Sequence, residues 1–283
     1  MYRYQILIEY AGTNFRGWQV QKKGKTIQGF IQDTISKILK EKIIVFGSGR
    51  TDSGVHAIEQ SAHFDCKNKI TDVKKFLKSI NHFLIKHGIA ILKLRKRNKN
   101  FHARFSAKLR IYKYVIINRI SGPVLEKNRS WHIMKKLDLN EMKKASKKLV
   151  GTKDFSTFRA STCRAKSPVK TMKLVKVKSL GDKIIIEFRS QSFLQQQVRS
   201  MVGCLKYVGE KKWSLKKFES ILKSKKEFYV LHQLQLWVYI YLKLFINFFL
   251  FAIENFLLIL HLLSARTIQP QQFFAPHLHG NCL

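Results

Sequence analysis

Residues 45–57 have the sequence VFGSGRTDSGVHA, in which an arginine and a carboxylate stand two residues apart among three glycines. An apolar run leads into this stretch, and glycine permits tight turns and close approach of the backbone to a ligand, so the pattern predicts a strand that ends in a functional loop. Arg50 can pair with Asp52, and such a pair keeps a carboxylate ionised even in a buried pocket. The alternative is an Asp-Ser-Gly turn with a surface arginine.

Strand and helix patterns alternate on both sides of this loop. Before residue 105 the hydrophobic periodicity predicts strands over 1–10, 43–45, 60–65 and 89–95 and helices over 26–40 and 73–84. After it, the periodicity predicts a strand over 108–117, helices over 137–150 and 193–208, and a hairpin of 172–179 with 183–189. The repeated set predicts an α+β fold of two similar domains, 1–105 and 106–227. Each would be a mostly antiparallel sheet with helices on one face, and a catalytic cleft would lie between them.

The charge indicates a polyanionic partner. Lysine and arginine number 54 against 17 acidic residues, giving a net charge of +37 spread over the whole chain. A phosphate-rich partner is the natural inference, although part of the lysine excess is consistent with AT-rich coding. Four cysteines lie far apart without a Cys-x-x-Cys pair or a matching histidine spacing, so no metal site is expected. The amino terminus lacks the long apolar core of a signal peptide, which favours the cytoplasm.

Several blocks of the chain resemble the tRNA pseudouridine synthases of the TruA type. The segment GRTDSGVH at 49–56 is similar to the catalytic loop of that family, and YAGTNFRGWQVQ at 10–21 is similar to its amino-terminal signature. FHARFS at 101–106, RIYKY at 110–114, DFSTF at 154–158, and SFL with VRSMVG between 192 and 203 follow in family order. The resemblance runs from residue 4 to about residue 227.

The resemblance implies an isomerase that converts uridine to pseudouridine in the anticodon arm of tRNA, at positions 38–40, as a homodimer without metal or cofactor. It implies Asp52 as the nucleophile or base and Arg50 as a residue that stabilises this carboxylate and fills the space left by the flipped base. Tyr112 would stack on the uracil or act as a late base, and Arg199 would pair with Asp52. Without the resemblance, Tyr112 would be one more strand aromatic.

Candidate RNA contacts occur where basic, aromatic and amide side chains share a loop. For Trp18 the alternative of capping a core is equally favoured, and His102 is interpreted as structural or as an RNA contact rather than as a metal ligand. The predicted RNA contacts are Arg16, Trp18, Gln19, His56, Arg104, Arg159, Arg164 and Lys166.

Residues 228–283 break with the rest of the chain. Their composition changes from lysine-dense to nearly uncharged and apolar, yet no uncharged run reaches the roughly 18 residues needed for a membrane span. The neighbouring reading frame of residues 231–243 can encode Ala-Pro-Ser-Ala-Pro-Ala-Leu-Gly-Leu-Tyr-Leu-Phe-Lys, which is similar to the family's terminal strand. We therefore interpret this segment as a frameshift product and expect its loss of a strand to leave a sheet edge unpaired.

Three functions are consistent with the sequence. The first is the active tRNA pseudouridine synthase, and the second is an RNA-binding protein whose catalysis is impaired by the lost strand. The third is a membrane-tethered basic protein that uses residues 228–283 as an anchor. Isomerase activity on tRNA separates the first two, and membrane fractionation separates the third.

Overall fold

A computed structural model describes residues 1–225 and 243–245, and the interpretation of the remainder of 228–283 lies outside these residues. The described chain has an α+β fold, as the sequence predicts. Its strands, numbered β1 to β10 in chain order with the bounds given in the next three paragraphs, form a largely antiparallel ten-stranded sheet. The order in the sheet is β4-β1-β3-β10-β5-β9-β8-β7, with β2 paired to β3 and β6 paired to β5.

The first half of the chain contributes four strands and two helices. β1 pairs antiparallel with both β3 and β4, and the short β2 adds to β3. Helix α2 packs on β4 and also contacts α1. The bounds are β1 Tyr2–Tyr10, α1 Ile27–Leu39, β2 Phe46–Gly47, β3 Ala57–Cys66, α2 Val73–Leu84 and β4 Ile89–Arg97.

The second half contributes five strands and three helices before residue 225. β9 pairs antiparallel with both β5 and β8, and helix α3 packs on β8 and α4. The bounds are β5 Leu109–Ile117, β6 Trp131–His132, α3 Leu139–Lys148, β7 Gly151–Asp154, β8 Val169–Leu180, β9 Lys183–Ser190, α4 Gln197–Gly209 and α5 Leu215–Ser224.

A three-residue strand lies at the centre of the sheet. β10, Lys243–Phe245, runs antiparallel to β5 over three residue pairs and parallel to β3 at Lys243 and Glu59. The gap between β3 and β5 is therefore occupied by residues of the 228–283 segment. The expectation of an edge left wholly unpaired is wrong at this point, because main-chain pairing depends little on which side chains the strand carries.

Two clusters of buried side chains form the interior. One lies between β1, β3 and β4 and the helices α1 and α2, and the other lies between β5, β8 and β9 and the helices α3 to α5. Tyr112 on β5 packs against both clusters. This residue therefore lies where the two halves of the sheet meet.

Helix starts follow the capping chemistry of the sequence. Thr26, Asp72, Asp138 and Ser214 each accept a hydrogen bond from a backbone N–H in the first turn of the helix that follows. Such caps each contribute on the order of 1 kcal/mol, and they fix where the helix begins. Four of the five α-helices within residues 1–225 begin in this way.

Two predicted elements differ in the structure. Residues 43–45 are not a strand, because α1 holds their backbone instead: Ser36 accepts from the N–H of Ile43, and Gln32 accepts from the N–H of Val45. The predicted helix over 193–208 corresponds to α4, which begins at Gln197 rather than at Phe193. Gln196 adopts a left-handed φ of 61°, and the Gln197 side chain accepts from the N–H of Leu194, so the preceding residues form a turn.

Candidate active site

The loop between β2 and β3 is fixed at its first residues by the sheet that carries it. The N–H of Ser48 donates to the carbonyl of Ser61 on β3 at 2.8 Å. The side chain of Gln60, also on β3, donates from Nε2 to the carbonyl of Gly49 at 2.9 Å. These bonds determine where the loop leaves the sheet.

The segment after β1 holds the other side of the loop. The hydroxyl groups of Tyr10 and Thr51 share a hydrogen bond of 2.8 Å, and the N–H of Trp18 donates to the Thr51 carbonyl at 3.0 Å. The carbonyl of Phe15 accepts from Ser53 Oγ at 3.1 Å. The two segments that carry the strongest sequence motifs therefore bind each other, and Asp52 lies between their points of attachment.

Two glycines permit this close approach. A Cβ added at Gly12 would lie 1.9 Å from the carbonyl oxygen of Val55, and one added at Gly17 would lie 2.5 Å from that of Thr51. Gly17 also has a φ of +82°, which L-residues with side chains rarely adopt. The backbone of residues 12–17 thus packs directly against the backbone of the loop.

Asp52 faces Arg199 from the second half of the chain. The two side chains lie 3.9 Å apart between Oδ2 and Nη2, with Asp52 49% exposed and Arg199 12% exposed. Within residues 1–225, this is the ion pair that Asp52 makes. The predicted pair with Arg50 is not formed, and Arg50 is exposed. Asp52 is also half exposed rather than enclosed in a pocket.

Tyr112 is half buried near Asp52. Its ring meets the ring of Phe193 edge to face, with centroids 4.7 Å apart. Burial raises the pKa of Tyr112 to about 12, and the Asp52 charge adds to this rise while Arg110 opposes it. The phenol is therefore neutral at physiological pH.

Arg110 is a structural residue of the site that the sequence did not single out. It is 9% exposed, and its Nη2 donates to the carbonyls of Ser48 at 2.7 Å and Arg104 at 3.1 Å. Its Nη1 donates to the carbonyl of Gln191. One buried guanidinium therefore connects the catalytic loop, the 101–106 segment and the end of β9. Only the motif RIYKY around it marked this position.

The predicted RNA contacts divide by exposure. Arg16, Arg104, Arg164 and Lys166 are exposed, whereas Gln19 and Arg159 are half buried.

Two other predicted RNA contacts lie inside the protein. Trp18 is 1% exposed and packs near Tyr10, with ring centroids 6.1 Å apart, so the core-capping alternative describes it. His56 is buried, and its Nε2 lies 3.2 Å from the carbonyl of Asn128. Burial lowers the pKa of His56, and Arg129 adds to this while the Asn128 carbonyl opposes it. Neither side chain therefore has the exposed surface that a direct RNA contact would use.

Among the residues that the structure describes, no three His, Cys, Asp or Glu side chains lie close enough to hold a metal ion. No helix of residues 1–225 is long and apolar enough to cross a membrane.

A strongly basic α+β protein that presents a carboxylate on a rigid loop, beside an arginine and a neutral tyrosine, has the features of an enzyme that acts on nucleic acid. Comparison with known proteins gives the family. The sequence model of the protein family described as tRNA pseudouridine synthase matches residues 6–106 and 145–232. The chain belongs to this family, whose members are isomerases.

Individual relatives extend the match over most of the chain. A tRNA pseudouridine synthase A of Pelagibacter ubique is 68% identical over 226 residues, which cover 80% of this chain and 92% of the relative. The protein of the same name from Zymomonas mobilis is 42% identical over 225 residues, covering 80% and 91%. That from Rhodospirillum centenum is 42% identical over 214 residues, covering 76% and 87%.

Proposed function

We propose that this chain isomerises uridine to pseudouridine in the anticodon arm of tRNA, at positions 38–40. The observation that carries the proposal is the position of Asp52, half exposed on a loop that both halves of the chain hold in place, with the Arg199 guanidinium 3.9 Å away. A loop held from several sides keeps its carboxylate in one orientation, which is what positional catalysis requires. Family membership supports the reaction class.

Asp52 is half exposed in the free protein, which suits a substrate that itself covers the site when it binds. A uridine in a stem must leave the base stack before its glycosidic bond can be reached. Asp52 then attacks the sugar or removes a proton from it, so that the base detaches, rotates and rejoins through C5. Arg199 stabilises the ionised carboxylate, and Arg50, on the exposed side of the loop, fills the space that the base has left.

Tyr112 is better suited to stacking on the uracil than to acting as a base. A phenol whose pKa is raised to about 12 by burial is almost entirely protonated near pH 7, so it has no charge with which to accept a proton readily. The adjacent ring of Phe193 keeps the tyrosine ring in place. Stacking on the uracil is therefore the role proposed for Tyr112.

The surroundings of the site suit tRNA. The net charge of +37 and the exposed Arg16, Arg104, Arg164 and Lys166 provide cations for a phosphate backbone. The family resemblance supports a cytoplasmic homodimer, and sedimentation of the purified chain tests that state.

The organisation of the chain is also a proposal. The two buried clusters support domains at 1–105 and 106–227, with the loop 46–57 and Tyr112 at their junction. We further propose that 228–283 is a frameshift product. The Pelagibacter relative aligns with 226 of the 283 residues, which leaves unmatched a length similar to that of this segment. Sequencing the gene around codon 229 tests it.

The experiment for the function compares Asp52→Asn with the unchanged chain. Asparagine keeps the shape of the side chain but removes the charge, so pseudouridine formation should fall below detection while affinity for tRNA stays within about two-fold. Transcripts with a single uridine at 38, 39 or 40 show which positions react.

Asp33→Asn is the matched control, because Asp33 is an exposed aspartate on α1. Its turnover should equal that of the unchanged chain. Turnover retained by Asp52→Asn would overturn the assignment of Asp52, and an unchanged chain that modifies none of the three positions would overturn the proposed substrate.

A further inference from the structure

Four aromatic rings form a continuous column beside the catalytic loop. The ring of His63 stacks on Phe46 at 5.1 Å and contacts His102 at 4.6 Å, and His102 contacts Phe105 at 4.5 Å, measured between centroids. We name this set, Phe46, His63, His102 and Phe105, the aromatic column. His63 is buried, whereas Phe46 is 45% exposed and Phe105 is 74% exposed. The buried His63 therefore lies between two exposed rings, Phe46 and Phe105, at the ends of the column.

The two histidines of the column behave as neutral rings. Nδ1 of His63 accepts from the N–H of Ala103, and Nδ1 of His102 accepts from the N–H of Arg104, each at 3.2 Å. A backbone donor at Nδ1 favours the neutral tautomer that carries its proton on Nε2. Burial also lowers the pKa of both imidazoles. The column thus presents flat, uncharged faces.

Arg110 places the outer end of the column next to the active site. Its Nη2 donates both to the carbonyl of Ser48 in the catalytic loop and to that of Arg104, the residue before Phe105. Ser48 is four residues from Asp52, a separation that the chain can span over at most about 14 Å. A nucleotide close to the target uridine is therefore within reach of Phe105.

The rim of the column is cationic. The Arg104 guanidinium lies 5.6 Å from the centre of the Phe105 ring, and that of Arg97 lies 5.2 Å from the centre of the Phe101 ring. Phe101 in turn contacts His63. The edge strand β4, which ends at Arg97, also exposes Lys93, Arg95 and Lys96. Uncharged rings surrounded by cations match a ligand that combines planar groups with phosphates.

We propose that the aromatic column stacks against an unpaired base of the RNA substrate, with Phe105 in contact with the base and Arg104 and β4 facing the phosphates. Stacking on aromatic side chains beside arginine is a general way of holding single-stranded RNA. The cations of the rim favour phosphates as its partner, and association with a second copy of this chain is one of the outcomes that the test below separates. The proposal rests on the proposed RNA substrate and adds a binding position to it.

The test uses the full chain and a tRNA transcript that carries the target uridine, at one fixed salt concentration. Phe105→Ala should weaken RNA affinity between about 5-fold and 100-fold and raise KM in parallel, with kcat within about two-fold, because it removes one stacked base contact. Phe105→Leu should be nearly as weak, since it is apolar but not planar. Phe105→Trp should retain the binding of the unchanged chain, and the fluorescence of the introduced tryptophan should be quenched when RNA is bound.

Phe83→Ala is the matched control, because Phe83 is an exposed phenylalanine on α2. It should bind RNA as the unchanged chain does. The proposal is overturned if Phe105→Ala or Phe105→Leu binds with the original affinity. It is also overturned if Phe105→Ala reduces only the dimer fraction in sedimentation, since the surface would then serve association of two copies.

Repeating the binding measurement in the Asp52→Asn chain separates this inference from the proposed function. If Asp52 is not catalytic, the Phe105 variants still report on stacking through affinity. If stacking is absent, the loss of turnover in Asp52→Asn is unaffected.

Discussion

Two segments with similar composition lie against the catalytic loop, one as a buried support and the other as an exposed surface. Residues 10–21 and 101–106 both combine aromatic rings with an arginine. In the first segment the rings of Phe15 and Trp18 are buried, and the backbone binds the loop. In the second, the Phe105 ring is exposed, and Arg110 connects the segment to the loop by donating to the carbonyls of Ser48 and Arg104. Composition alone therefore does not separate a supporting segment from a binding surface.

The difference lies in the backbone of the two segments. Gly12 and Gly17 let residues 10–21 come within hydrogen-bonding distance of the loop, and the rings of Phe15 and Trp18 are buried there. The 101–106 segment instead turns on itself, with the N–H of Ser106 donating to the carbonyl of His102 at 2.8 Å. A tight turn of this kind leaves the side chains at its tip, Arg104 and Phe105, facing outward.

The largest effect is expected from truncating an aromatic side chain in the buried segment. Trp18→Ala should lower the free energy of unfolding by about 3–5 kcal/mol, because it opens a cavity beneath the loop. Phe105→Ala should change that free energy by less than about 0.5 kcal/mol, since exposed side chains contribute little to stability. Denaturant unfolding of both variants checks the contrast, and equal losses would contradict it.

A second effect concerns the close contact between the buried segment and the loop. Gly12→Ala places a Cβ where the carbonyl oxygen of Val55 lies, only 1.9 Å away, so the loop must shift. A displacement near 1 Å at a catalytic group can reduce turnover by about 100-fold. Pseudouridine formation by the variant should fall to that extent.

Gly122→Ala is the control for this change. Its added Cβ would lie 3.9 Å from the His132 ring, an ordinary contact, so turnover should stay close to that of the unchanged chain. Full activity of Gly12→Ala would show that the position of the catalytic loop does not depend on its close contact with residues 10–21.

Much of the fold could be predicted from the sequence because it depends on local patterns. The predicted helix over 73–84 has the same bounds as α2, and an Asp72 cap explains its start. Residues 43–45 were misassigned because their backbone bonds to side chains of α1, a contact between segments that periodicity does not contain. The α+β class did not depend on that strand, so the fold prediction is confirmed.

The site was harder to predict because its residues act through distant partners. Motif resemblance selected Asp52 and implied its pair with Arg199, which the structure contains, whereas the pair with Arg50 that the local spacing allowed is not formed. Arg110 bonds three carbonyls far apart in sequence, and a buried arginine without a carboxylate partner has no local signature. The roles of the catalytic residues themselves remain predictions until Asp52→Asn is measured.

The smallest effect is a pH dependence that originates at His63, the buried ring of the aromatic column. Burial lowers the pKa of His63 to about 4, His102 and Arg3 add to this, and Asp65 and the Phe46 carbonyl oppose it. Since the unfolded chain binds the proton near pH 6.5, stability is complete above that pH and falls as the pH drops toward 4. Between pH 7 and pH 5, this histidine alone should remove about 2 kcal/mol.

His63→Phe should lose that part of the pH dependence, because it keeps a ring against Phe46 but cannot be protonated. Its stability at pH 7 can be lower, since the Ala103 N–H loses an acceptor, but this loss is the same at both pH values. The measurement is therefore the difference between unfolding free energies at pH 7 and pH 5, with His82→Gln on α2 as the control. If His63→Phe loses as much stability on acidification as the unchanged chain, protonation of His63 is not the source of the pH dependence. The packing of the aromatic column would then not depend on a neutral histidine.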